Sequence, residues 1–72
     1  MKNNQIHSTA VIEPGAQIAD DVSIGPFSFI GSDVILHSGV QIKSHVVVTG
    51  MTEIGEKTVI YHLQLLGKSR KI

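Results

Sequence analysis

Every sixth residue from Ile6 onward is Ile, Val or Leu. The column runs Ile6, Ile12, Ile18, Ile24, Ile30, Leu36, Ile42, Val48, Ile54, Ile60, Leu66, Ile72. These three residue types fill 22 of the 72 positions. Twelve hits in one of six phases would arise by chance roughly five times in a million. Nine of the ten isoleucines lie in this column. The unit is clearest in Thr52–Glu53–Ile54–Gly55–Glu56–Lys57–Thr58–Val59–Ile60–Tyr61, which holds two copies.

A period this short marks a β-helix. Side chains alternate faces along a strand, so residues two apart share a face. The position two before each aliphatic residue is therefore also expected to point inward. That second column reads Ala10, Ala16, Val22, Ser28, Val34, Val40, Val46, Thr52, Thr58. All are small or β-branched, as thin strands between tight corners require. Glycine follows the aliphatic residue at Gly25, Gly31, Gly55 and Gly67, where a turning chain benefits from an unhindered backbone. Three hexads make one triangular coil of about 18 residues. The pattern predicts an all-β parallel helix of about three coils over residues 6–61, after a frayed polar lead-in at residues 1–5.

An antiparallel sandwich is the competing fold, because six is an even period. It would need turn signals about every 8–12 residues and hairpin dipeptides. Here the punctuation is spaced by six, and Asn-Gly and Asp-Gly are absent. The hand does not follow from the period, although parallel crossovers are usually right-handed. Aromatics are limited to Phe27, Phe29 and Tyr61. That is lean for a compact globule, which relies on aromatic burial, and suits stacked aliphatic layers.

Six basic and six acidic side chains give zero formal charge. This argues against nucleic-acid or anionic-membrane partners that work by charge. The sequence has neither an apolar run near 18 residues nor a charged-then-apolar leader, so a soluble, unexported, cytoplasmic protein without membrane insertion is expected. With no cysteine, disulfides and thiolate metal sites are excluded.

Four stretches carry a family resemblance: Ile6–His7–Ser8–Thr9–Ala10–Val11–Ile12; Ile24–Gly25–Pro26–Phe27; Lys43–Ser44–His45–Val46–Val47–Val48; and Thr52–Glu53–Ile54–Gly55 through Ile60–Tyr61. Together they resemble the start of a hexapeptide-repeat acyltransferase, of the kind that acylates UDP-N-acetylglucosamine at the beginning of lipid A synthesis. The first and last stretches are common among hexapeptide transferases; the Lys-Ser-His-Val-Val-Val run is more specific. The resemblance implies a left-handed β-helix, a homotrimer with active sites between subunits, acyl carrier protein as acyl donor and UDP-N-acetylglucosamine as acceptor. It also implies a histidine general base that takes the proton from the attacking sugar hydroxyl.

That histidine belongs to a later coil of the family, beyond residue 72. None of His7, His37, His45 or His62 matches it. His7 and His37 follow aliphatic positions and are expected at solvent-facing corners. His45 is expected to pack or to serve a turn hydrogen bond, and Lys43 to be solvated. The histidines lack clustered spacing for zinc. Asp20–Asp21 and Ser32–Asp33 read as polar turn steps. No catalytic, substrate-binding, cofactor or metal residue is expected, and no acid–base pair.

Residues 62–72 depart from the pattern. The inward small column fails at Gln64 and Arg70. Where the family continues with aromatic-Ala-Ser/Thr-Ile-Gly-Glu, this chain has His62–Leu63–Gln64–Leu65–Leu66–Gly67–Lys68. One allowed set of codons for the tail, read in a displaced frame, gives Phe-Ala-Thr-Ile-Gly-Glu-Val-Pro-Gln-Asp. A lost base near codon 62 would therefore explain a non-native tail. Two readings follow: an inactive, frameshifted piece of the acyltransferase, incomplete and uncapped at its C-terminal end, or a small self-associating β-helical structural or binding module.

Overall fold

A computed structural model describes residues 4–61, 64–65 and 70–72. These residues form twelve short strands in chain order: β1 Gln5–Ile6, β2 Val11–Ile12, β3 Gln17–Ile18, β4 Ser23–Ile24, β5 Phe29–Ile30, β6 Ile35–Leu36, β7 Gln41–Ile42, β8 Val47–Val48, β9 Thr52–Ile54, β10 Val59–Ile60, β11 Gln64–Leu65 and β12 Arg70–Lys71. They build three parallel four-stranded sheets. The first is ordered β1-β4-β7-β10, the second β2-β5-β8-β11 and the third β3-β6-β9-β12. Each strand thus pairs with the strand three along, and the chain winds as a left-handed parallel β-helix of about three turns.

The register follows the aliphatic column. Ile6 pairs with Ile24 and Ile24 with Ile42 in the first sheet. Ile12 pairs with Ile30 and Ile30 with Val48 in the second. In the third, Ile18 pairs with Leu36 and Leu36 with Ile54. Each step is eighteen residues. Both expected inward columns face the core. Ile24, Ile30, Leu36, Ile42, Val48, Ile54 and Ile60 are buried, together with Val22, Val34, Val40, Val46, Ser28 and Thr52. Ala10, Ile12, Ala16 and Ile18 pack half-buried against them in the first coil. Ile6 at the start and Ile72 at the end stay exposed.

Two boundaries differ from the sequence expectation. The polar lead-in ends earlier than residue 5. The Gln5 N–H donates to the Val22 carbonyl (2.9 Å), and the Asn4 Oδ1 accepts from the Val22 N–H (3.1 Å). A strand ladder recruits backbone groups, so an outward polar side chain is no obstacle to it. The second difference is in the tail, where the described strands β11 and β12 continue two of the sheets. Leu65 pairs with Val48, one residue short of the usual step. Leu66, the expected column member, lies outside the described residues, as do His62 and Leu63. The slip puts Gln64 opposite Val47, an outward register position, and not opposite the buried Val46. A one-residue slip in register exchanges the two faces of a strand. The eighteen-residue step then returns, with Arg70 opposite Thr52. Ile72 is tied on both sides of Ile54: its N–H donates to the Glu53 carbonyl (2.8 Å) and its carbonyl accepts from Gly55 (2.6 Å).

Candidate functional site

Corners stack as strictly as strands. Between the first and second sheets lie residues 7–10, 25–28 and 43–46, one segment per coil. As at Asp21 and Lys57 in the corner between the third and first sheets, the turn here is made by non-glycine residues with positive φ. Phe27 and His45 adopt the left-handed conformation, with φ of 59° and 58°, which costs a non-glycine residue roughly 1–2 kcal/mol. Local contacts hold them there. The Phe27 N–H donates to Thr9 Oγ1 (3.0 Å), and the His45 N–H donates to the Pro26 carbonyl (3.0 Å). The rings, both on exposed residues, stack with centroids 5.3 Å apart.

Beneath those rings, Ser28 is buried and ties the corner to the next coil. Its hydroxyl donates to the Lys43 carbonyl (2.9 Å) and accepts from the Val46 N–H (3.3 Å). Gly25 lets the coils approach: a Cβ there would lie 2.6 Å from the Lys43 carbonyl oxygen, closer than atoms tolerate. The aliphatic-Gly pattern at this position thus reflects close backbone approach. The Lys43 ammonium reaches Gln41 Oε1 (3.3 Å) and lies 6.0 Å from the Tyr61 ring centroid, the outer limit of a cation–π contact.

His37, at the corner between the third and first sheets, pairs with Glu53 of strand β9, a contact that the sequence reading did not foresee. His37 Nε2 and Glu53 Oε2 lie 2.6 Å apart, with side chains about two-fifths and one-third exposed. They stand sixteen residues apart. Their meeting was legible only through the coil repeat, which places His37 beside Gly55 and Ile35 beside Glu53, making His37 and Glu53 diagonal neighbours. The pair lines a shallow open groove with Gly55 and Ile72. As a partly solvated link it is worth about 0.2–1 kcal/mol, towards the low end.

His7 is at an exposed corner as expected, with Nδ1 2.9 Å from Thr9 Oγ1. His37 is half-buried and paired, not simply solvated. His45 packs against the Phe27 ring, one of the two roles expected of it, and its N–H bonds the Pro26 carbonyl of the preceding coil instead of a partner within its own turn. The structure thus brings His45 beside Phe27 and Lys43 near Tyr61, and it keeps His7 and His37 at different corners. Among the described residues, no three His, Cys, Asp or Glu side chains stand close enough to share a metal ion. No helix among them is long and apolar enough to cross a membrane.

The eighteen-residue register, the two inward columns and the glycine-bearing corners define a hexapeptide-repeat protein. The bacterial transferase hexapeptide family (six repeats) matches residues 1–32 and 16–50, and the chain belongs to that family. Among curated relatives, the acyl-[acyl-carrier-protein]–UDP-N-acetylglucosamine O-acyltransferase of Rickettsia typhi is 49% identical over all 72 residues, which cover 27% of that enzyme. The enzyme of the same name from Saccharophagus degradans is 44% identical over 64 residues, covering 89% of this chain and 25% of the relative. Among solved structures, the LpxA of Acinetobacter baumannii superposes with a TM-score of 0.76 at 52% identity, covering 78% of this chain and 22% of that one. The chain spans about a quarter of the length of the curated relatives it matches.

Proposed function

We propose that this chain supplies the opening coils of an acyltransferase that moves a 3-hydroxyacyl group from acyl carrier protein to UDP-N-acetylglucosamine. That is the first step of lipid A synthesis, carried out in the cytoplasm by a homotrimer. The observation that carries the reading is the 49% identity to enzymes of that name across all 72 residues. In this reading the coils are scaffold. They set the register on which later coils mount the chemistry, and none of His7, His37, His45 or His62 serves as general base.

The tail belongs to the same proposal. Residues 62–72 are a displaced reading frame, which explains why Gln64 and Arg70 stand where small inward residues precede them. The one-residue slip at Leu65 is how such a tail fits onto the sheets. A second reading keeps one observation in its favour: β11 and β12 do pair with β8 and β9. A small self-standing module would need such a closing layer.

Two experiments decide. Purified, the 72-residue polypeptide should transfer no acyl group from acyl carrier protein to UDP-N-acetylglucosamine. Turnover abolished by Lys43→Ala or His45→Ala would put the site in these coils after all. DNA sequencing from codon 55 onward should reveal hexads continuing in the alternate frame, including a histidine-bearing coil. Early stops in that frame would remove the displaced-frame account.

A further inference from the structure

Backbone donors of the first sheet form two ladders that run from coil to coil. The N–H groups of Gln5, Ser23 and Gln41 donate to the carbonyls of Val22, Val40 and Thr58 (2.9 Å each). Those of His7, Gly25 and Lys43 donate to the carbonyls of Ile24, Ile42 and Ile60 (2.8–2.9 Å). Val59 and Tyr61 hold the next rung of each ladder, on and just after strand β10. Their N–H groups meet no acceptor among the described residues.

The core opens at the same place. The second inward column is buried from Val22 to Thr52, but Thr58, its next member, is only half-buried. Val59 and Tyr61 beside it are 37% and 64% exposed. The winding passes from the first sheet to the second and the third, and each holds four described strands. The strand position that follows β12 is therefore the free side of β10.

The ladders specify what fits there. An incoming strand must offer two carbonyls two residues apart, from residues whose side chains cover Thr58 and Ile60. In the coils below, such carbonyls belong to Val22 and Ile24, Val40 and Ile42, and Thr58 and Ile60. A small or β-branched residue with an aliphatic one two places later is the hexad itself. Any extended peptide can pair with a sheet edge, but one without this pattern leaves the inward side uncovered. A second copy of this chain fits less well, because Asn4 would stand over Thr58 where the repeat has a small residue. Each coil of a solenoid is held by its neighbours alone, so the contact does not depend on a covalent link between coils.

We infer that the β10 edge is a docking site for a separate polypeptide built of further hexads, which adds its first strand parallel to β10 and continues the coils in trans. The inference rests on the proposed place of this chain as opening coils. It adds that coil-to-coil contact alone joins them to later ones. The relatives supply the length for such a partner, since the 72 residues cover only 27% of the Rickettsia typhi enzyme.

The test co-expresses the 72-residue polypeptide with the part of the Rickettsia typhi enzyme beyond the matched residues, made from a separate gene and carrying an affinity tag. Alone, the polypeptide is expected to unfold or aggregate, and its rescue is the signal. The expected product is a soluble one-to-one complex. In it the Val59 and Tyr61 amides should exchange hydrogen within about tenfold of the Gln41 and Lys43 amides. Val59→Pro suits an edge strand whose N–H faces outward, and by removing that donor it should lower recovery about tenfold. A fused chain, residues 1–61 joined directly to the same partner, is made in parallel. A fused chain that melts cooperatively while the separate pieces fail to copurify would overturn the docking site and leave the reading of this chain as opening coils. Copurification with the Val59 and Tyr61 amides unprotected would put the contact elsewhere and overturn the site as well. A fused chain that does not fold would overturn the reading and the docking site together.

Discussion

The coils from Val22 to Ile60 and the tail after Tyr61 obey the same backbone pairing but not the same rules of sequence. In the coils, inward pairs such as Val34 with Leu36 or Val46 with Val48 exclude solvent almost completely. Every described strand pair there advances by eighteen residues. In the tail, one pair advances by seventeen, and an arginine takes the register of buried Thr52. Parallel pairing is therefore a backbone property that tolerates almost any sequence. A sealed core is a side-chain property that does not.

The strongest way to sharpen this contrast is to replace residues 62–72 with hexads patterned like residues 22–60. Each coil of a solenoid contacts only its neighbours, and end coils need covering. The replaced chain should sediment as a discrete species with a cooperative thermal melt. The 72-residue polypeptide should be partly unfolded or should aggregate at its C-terminal end, where strand edges invite pairing. A sharp melt of the unaltered polypeptide well above room temperature would break the contrast.

Next in size are deletions within the sealed core. Ile30→Ala should cost about 2–5 kcal/mol, measured by denaturant titration in a background stable enough to show a baseline. Ile12→Ala, in the half-buried first coil, should cost clearly less. Equal losses would mean that the stack is not graded from its middle outward.

Ser28→Ala should cost about 1–3 kcal/mol, because it strips partners from the Lys43 carbonyl and the Val46 N–H. Hydrogen exchange should accelerate at Val46 before it does at Val34. The smallest effect is expected for His37→Ala, at or below about 1 kcal/mol. A larger loss would give that pair a role beyond joining neighbouring coils.

Much of this was written in the residues. The period of six predicts the winding, and the alternation of strand faces predicts both inward columns, down to buried Ser28 and Thr52. The family resemblance supplied the hand, which no spacing contains. What stayed hidden depends on geometry across coils. The His37–Glu53 pair is diagonal, and the Phe27–His45 stack requires two left-handed corners that propensity would not place under aromatic rings. The slip at Leu65 was hidden for another reason. A fixed period assumes constant advance, and Gln64 pairs with Val47, one residue short of the eighteen-residue step.

The eighteen-residue register has a consequence for measurement along the molecule. Two side chains one coil apart in sequence lie one strand spacing apart in space, about 4.8 Å. Sequence number thereby becomes a ruler laid along the axis. Labels at positions 5, 23, 41 and 59, the outward register positions of the first sheet, would stand in a straight line at equal intervals. A probe distance between any two of them reads out how many coils lie between, without another coordinate.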